Sequence, residues 1–149
     1  EGESAILLEA AAGSTDESYE IALVKNTATE QSTAHDTSVI LLDAEPLFKA
    51  VLDDMQAGVP VATIAAKVHN AMIAAIVQSC LVANAAYGIS IVALAGGVFM
   101  NRLITEGAIA ALEGAGFTVA LGKELPPNDG AISYGQAAVA AARANQQAS

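Results

Sequence analysis

Val92-Ala93-Leu94-Ala95-Gly96-Gly97-Val98-Phe99-Met100-Asn101 decides the fold class. The run Ile89 to Leu94 is short and apolar except for Ser90, as expected of a strand covered on both faces. A glycine pair follows, then Leu103, Ile104, Ile109 and Leu112 at helical spacing. The strand is therefore expected to deliver Gly96 and Gly97 to a helix N-terminus. There the first N–H groups have no helical partner and the dipole is positive. Without a Cβ, glycine lets a phosphate approach the backbone. Asn101, one turn on, could donate to and accept from a sugar or base. A Gly-Gly turn after a strand also serves with no ligand at all.

Downstream, Gly114 and Gly116 close the helix and Phe117 to Leu121 reads as a second strand. Leu125-Pro126-Pro127-Asn128-Asp129-Gly130-Ala131 is stiff turn chemistry, and an alanine-rich helix follows from about Ile132 to Ala144. Strand, glycine turn, helix, strand, turn, helix is an α/β pattern with a parallel pair. Asp129 admits two readings. It is the N-cap of the last helix, or a ligand for a hard metal or metal phosphate on a rigid turn.

Upstream, Ala5 to Ala12 reads as a short helix ended by Gly13-Ser14-Thr15, and Tyr19 to Val24 alternates like a strand. The polar stretch Asn26 to Asp36 reads as a hairpin connection, with Thr37 to Leu42 as the return strand. Asp43 is placed to cap a helix carrying Leu47, Val51, Leu52 and Met55 that stops at Gly58. Pro60 suits a first helical turn. Val61, Ile64, Ala65, Val68, Met72, Ile76 and Cys80 then define one face of a long helix ending near Gly88.

The bulk numbers exclude some functions. In 149 residues, 54% are hydrophobic but only 4% aromatic, which favours close-packed helices over an aromatic-rich sandwich. The net charge of −10 argues against a nucleic-acid backbone binder. It leaves room for a nucleotide held by N–H groups and a metal. Cys80, the one cysteine, permits no internal disulfide and fits a reducing compartment. The first residues carry no basic leader pattern, so a cytoplasmic location is expected. The apolar stretch from Val59 to Leu94 is interrupted by Lys67, His69, Asn70, Gln78, Asn84 and Gly88, so no membrane span is expected. His69 is expected half-buried on the long helix, and His35 lies in the hairpin connection. They are too far apart to suggest a metal pair. Cys80 reads as packing rather than nucleophile.

Taken together, three runs resemble the C-terminal signature of the HypF carbamoyltransferase family. They are Gly96-Gly97-Val98-Phe99-x-Asn101-x-Leu103, Pro126-Pro127-Asn128-Asp129-Gly130 and Gly135-Gln136-Ala137. Glu1-Gly2-Glu3-Ser4-Ala5 with Leu8-Glu9 resembles that family's Tyr-Glu-Gly-Gln-Ala segment, and Ile64 to His69 its helix with a Phe-His pair. The resemblance implies the C-terminal portion of an actin- and sugar-kinase-like (ribonuclease-H-like) ATPase fold, with a β-hairpin and long helices. Residues 1–149 would form one partial domain, the C-terminal lobe, with 145–149 a disordered tail. The implied ligands are ATP or carbamoyl-adenylate and a divalent metal (magnesium, iron or zinc). Gly96 and Gly97 would line the phosphates, Asn101 would lie near the nucleoside, Asp129 would bind the metal, and Gly2 would be a weaker nucleotide contact. The acceptor would be the C-terminal cysteine of a HypE-type protein, whose carbamoyl group becomes the cyanide of the nickel–iron site. The family's paired metal histidines, a further nucleotide-binding segment and the domains that make carbamoyl-adenylate would precede residue 1. The chain alone is therefore expected not to turn over, and its exposed apolar surface could drive self-association. Ala95 stands where the family has Ser, Ala131 where it has a second Gly, Tyr134 where it has an aliphatic, and Val68 where it has an aromatic. The alternatives are a related tRNA threonylcarbamoyl- or O-carbamoyl-transferase, and a non-catalytic assembly module, which Ala95 and Ala131 favour.

Overall fold

A computed structural model describes residues 2–26, 39–122 and 125–147. The chain is α/β and divides into two compact units, Glu1–Ile89 and Ser90–Ser149. Each is described by itself.

In the first unit, helix α1 spans Glu3–Ala11, two residues earlier than its apolar pattern suggests, and buries none of its side chains. Gly2 starts it in the left-handed region at φ 86°, and the Gly2 carbonyl accepts the Ala5 and Ile6 N–H groups at 3.1 Å. The strand expected from Tyr19 begins only at Ala22. Strands β1 (Ala22–Asn26) and β2 (Val39–Asp43) pair antiparallel, with Leu23 opposite Leu42. Most of the expected hairpin connection, and His35 with it, lies outside the described residues.

Residues 13–21 are a strap rather than a strand because long-range partners take their polar groups. The Gly13 N–H donates to the Ala62 carbonyl at 2.9 Å, and Asn70 Nδ2 donates to the Thr15 and Glu17 carbonyls at 2.9 and 2.7 Å. A Cβ on Gly13 would lie 3.3 Å from the Ala62 Cβ, so this crossing favours glycine.

Helix α2 spans Glu45–Gln56; its N-cap is Ala44 rather than the expected Asp43, which stands one residue earlier and accepts the Glu45 N–H through Oδ1 at 2.9 Å. Of its four apolar positions, Leu47 is buried and Val51 packs beside it, whereas Leu52 and Met55 face solvent. Helix α3 spans Val61–Tyr87 and ends at Gly88, whose φ of 68° gives the chain a left-handed exit. Pro60 sits just before the helix, with its carbonyl accepting the Ile64 N–H at 3.1 Å. By length and composition alone α3 could cross a membrane. Three of its polar side chains bond to the protein: Asn70 and Lys67 hold the strap, and His69, expected half-buried, is buried with Nδ1 2.7 Å from the Ala65 carbonyl.

The core of this unit is Tyr19, Leu47, Ile64 and Ala71, flanked by Ile21, Ala50, Val51, Val59 and Val68. Above it one carboxylate oxygen, Asp54 Oδ2, accepts from the Tyr19 hydroxyl at 2.6 Å and from Lys67 Nζ at 2.8 Å. Lys67 also reaches Glu17 at 3.1 Å and lies 4.6 Å above the Tyr19 ring. The cluster ties the strap, α2 and α3 together. Its two donors hold the Asp54 carboxyl below its usual range. Burial first, then the bond to Asp54, pushes the Tyr19 hydroxyl up to about 12. Because the folded value is raised, this stabilisation is full below pH 10 and is lost as pH rises toward about 12. A spectrophotometric titration should show one late tyrosinate transition that Tyr19→Phe removes. A Tyr19→Phe variant that keeps the late transition would contradict the assignment.

In the second unit, β3 (Ile91–Leu94) pairs parallel with β4 (Thr118–Leu121), Ile91 opposite Thr118, and α4 (Arg102–Gly114) joins them. This is the expected parallel pair. Leu94, Ile104, Ala108, Leu112 and Phe117 are buried, and Leu112 fully so. The expectation that β3 is covered on both faces does not hold among the described residues: Ile91 is 66% exposed, because α4 covers only one face. Gly116 leaves α4 at φ 89°, which lets the Phe117 N–H reach back to the Leu112 carbonyl at 3.0 Å. Helix α5 runs over Ile132–Gln147, past the expected end at Ala144 and into the segment expected to be a tail. The run Arg143-Ala144-Asn145-Gln146-Gln147 contains no helix breaker.

Candidate functional site

The site is built where β3 ends. Leu94 is buried and anchors the strand, and Gly96 follows with φ 112° and ψ 161°. That backbone region is essentially reserved for glycine. The Gly96 N–H donates to the Pro127 carbonyl at 2.6 Å. The glycine turn and the Pro-Pro-Asn-Asp-Gly turn, thirty residues apart, are thus joined directly through the main chain.

The glycine pair does not open an α-helix. A 3-10 turn, Gly97–Met100, intervenes, and α4 begins only at Arg102. The reason is capping chemistry. Asn101 Oδ1 accepts the Ile104 N–H at 2.9 Å, so Asn101 is the N-cap of α4 and has an extended backbone. One lone pair of its side-chain oxygen is therefore spent on the cap. The 3-10 turn is pinned by Thr105, whose buried hydroxyl donates to the Phe99 carbonyl at 2.9 Å. Sequence reading passed over Thr105. The available signal was a hydroxyl four residues after the cap, on the inner face of α4.

The two glycines differ. Gly96 has the special backbone and an N–H committed to Pro127. Gly97 has no positive φ, and a Cβ there would meet nothing within 4 Å. Neither backbone conformation nor packing among the described residues demands glycine at 97. The first N–H groups of the turn, those of Gly97 and Val98, have no partner within the turn itself. Gly96→Ala should therefore cost about 1–3 kcal/mol of stability through backbone strain. Gly97→Ala should leave the denaturant midpoint unchanged and weaken nucleotide binding in the full-length protein. Equal midpoints for the two variants would refute the distinction.

In the second turn, Asp129 is not the N-cap. Asn128 is: its Oδ1 accepts the Gly130 N–H at 3.0 Å, opening the short 3-10 turn Asp129–Ala131 that leads into α5. The Asp129 carboxylate is exposed and makes no hydrogen bond or ion pair among the described residues. The side-chain cap of this turn is thus Asn128's, and Asp129 stands in its first turn, where a carboxylate suits the positive end of the dipole. An uncommitted carboxylate on a stiff turn has the chemistry of a hard-metal ligand. It would be one ligand of several, since no group of three or more His, Cys, Asp or Glu able to hold a metal occurs among the described residues. His69 and Cys80 belong to the first unit. Burial pushes the Cys80 thiol up, away from nucleophilic thiolate, as the packing reading expects. Gly2 also stands in the first unit. The second unit alone assembles Gly96, Gly97, Asn101 and Asp129 on two linked turns.

A parallel strand pair joined through α4, with its glycine turn latched to an acid-bearing turn, defines a class: an α/β subdomain. The comparisons name the family. Residues 1–136 match the family described as carbamoyltransferase, Kae1-like domain, second subdomain. The carbamoyltransferase HypF of Synechocystis sp. is 38% identical over 97 residues, covering 65% of this chain and 12% of its own. HypF2 of Cupriavidus necator is 34% identical over 103 residues, covering 69% of this chain and 12% of its own. A full-length HypF in a phosphate- and nucleotide-bound form superposes with TM-score 0.83 at 30% identity, over 94% of this chain and 17% of that one. HypF of T. kodakarensis gives 0.71 at 28%, over 92% and 16%. The chain belongs to the HypF carbamoyltransferase family, and it spans about an eighth of the curated relatives' length.

Proposed function

We propose that this chain supplies one wall of a carbamoyl-transfer site that works with carbamoyl-adenylate or ATP. The observation that carries the reading is the 2.6 Å bond from Gly96 N–H to the Pro127 carbonyl. It joins the turn that carries Gly97 to the turn that carries Asp129. In this reading the Gly97 and Val98 N–H groups face phosphate oxygens, and Asn101 shapes the nucleoside end through the cap it makes. Asp129 contributes one oxygen to a divalent cation (magnesium, iron or zinc). Such a cation, when bound, would offset phosphate and developing acyl charge. Gly2 contributes at most a backbone contact. A relative solved with phosphate and nucleotide supports a nucleotide ligand for the family fold.

The acceptor we propose is the C-terminal cysteine thiol of a HypE-type protein, carbamoylated on the way to the cyanide ligand of a nickel–iron hydrogenase. Domains preceding this region would make the carbamoyl-adenylate. The net charge of −10 disfavours nucleic acid as a partner, and we place the protein in the cytoplasm, away from membranes. The test is transfer of label from radiolabelled carbamoyl phosphate, with ATP, by the full-length enzyme to a HypE-type acceptor. Label should appear on the acceptor and vanish when its terminal cysteine is replaced by serine. Labelling of the serine variant, or transfer without ATP, would overturn the proposal. This chain alone should neither transfer the label nor bind magnesium-ATP tightly in a calorimetric titration.

A further inference from the structure

We infer that α1 is a docking helix, whose free apolar face seats against the first subdomain of the same polypeptide. The inference is independent of the nucleotide and the metal proposed above. Between Glu3 and Glu9 the helix is apolar on nearly every side, yet none of its side chains is buried. It touches α3, and Leu8 and Glu9 are its half-covered positions. Away from them Ile6 is 64% and Leu7 62% exposed, and Ala10 continues the same exposed face one turn on. A helix that is apolar all round belongs in an interior. Its nine residues are also too few to hold a helix in water without packing. A surface outside the described residues therefore covers Ile6 and Leu7.

The occupant follows from the family match and from the size of the face. The match is to the second subdomain of a Kae1-like domain, so that domain has a first one. The full-length HypF that superposes on 94% of this chain is matched over 17% of its own length, so most of that protein could supply the cover. Nine helical residues span about 14 Å. One face of that length buries far less than the roughly 1,200 Å² of a stable complex between separate molecules, which disfavours a second copy. A tethered subdomain needs less area, because the linker already holds the two surfaces at high effective concentration. A lipid surface is disfavoured by sign: the charged residues of α1 are Glu3 and Glu9, where an anionic bilayer calls for Lys or Arg.

The experiment follows hydrogen exchange in the full-length enzyme by mass spectrometry, on peptides from α1 and α3. In the wild type the α1 amides should exchange at least about a hundredfold more slowly than unprotected amides, the protection expected from covering Ile6 and Leu7. Leu7→Ala should speed exchange across α1 about tenfold or more while α3 stays as slow as in the wild type. A benzoylphenylalanine side chain placed at position 7 should, on illumination, cross-link to a peptide of the first subdomain. Exchange of wild-type α1 at the unprotected rate overturns the inference. So does a Leu7→Ala variant that speeds neither helix, or both alike. Cross-links to a second copy, to another domain, or only within residues 1–149 overturn the choice of occupant and the inference with it.

Discussion

Asp129→Ala in the full-length enzyme is expected to lower carbamoyl transfer by about a hundredfold or more while leaving thermal unfolding unchanged. The size follows from the proposed role of Asp129 as a metal ligand, since single electrostatic contributors are worth about 10²–10³ in rate. The unchanged stability follows from the structure. The carboxylate is exposed and bonds to nothing among the described residues, and the N-cap belongs to Asn128. Exposed positions without such contacts usually shift stability by under about 0.5 kcal/mol. Transfer rate and melting temperature should be measured on the same preparation. A large fall in both would mean that Asp129 is structural after all. Undiminished transfer would favour the non-catalytic assembly module, for which Ala95 and Ala131 are the supporting departures.

The largest stability effect is expected at Leu112. Among the described residues it is the largest fully buried side chain, and Leu94, Ile104, Ala108 and Phe117 of the same unit are buried too. Leu112→Ala removes buried methyl and methylene groups and leaves a cavity, which costs about 3–4 kcal/mol in sites of this kind. The cost should spread to the end of the helix, where the Leu112 carbonyl accepts the Phe117 N–H. Leu112→Met keeps the volume and should cost under about 1.5 kcal/mol. Denaturant unfolding of the three proteins checks this. A Leu112→Ala cost below 1 kcal/mol, given as an order of magnitude, would show that the site collapses around the smaller side chain.

Much of the second unit was legible in one dimension. A four-residue apolar strand, a glycine turn, a helix with Ile104 and Leu112 on one face, and a second strand can each be read from local periodicity. The first unit was harder. Tyr19 to Ile21 alternates like a strand, yet Tyr19 is core and the segment is a strap. Its partners, Ala62, Asn70 and Asp54, lie at least thirty-five residues away. No window of local sequence contains them.

The glycine pair and the acid turn show the same division at the site. By itself the sequence determined that Gly96, Gly97, Asn101, Asn128 and Asp129 would sit on turns at the ends of regular elements. Turn and cap preferences are properties of single residues and their immediate neighbours. Asn101 and Asn128 take the caps through N–H groups three and two residues on. The tertiary structure alone decided that the Gly96 N–H would be committed to Pro127. The physical reason is range: a cap closes within its own turn, whereas the Gly96–Pro127 bond joins two turns that meet only once the chain has folded.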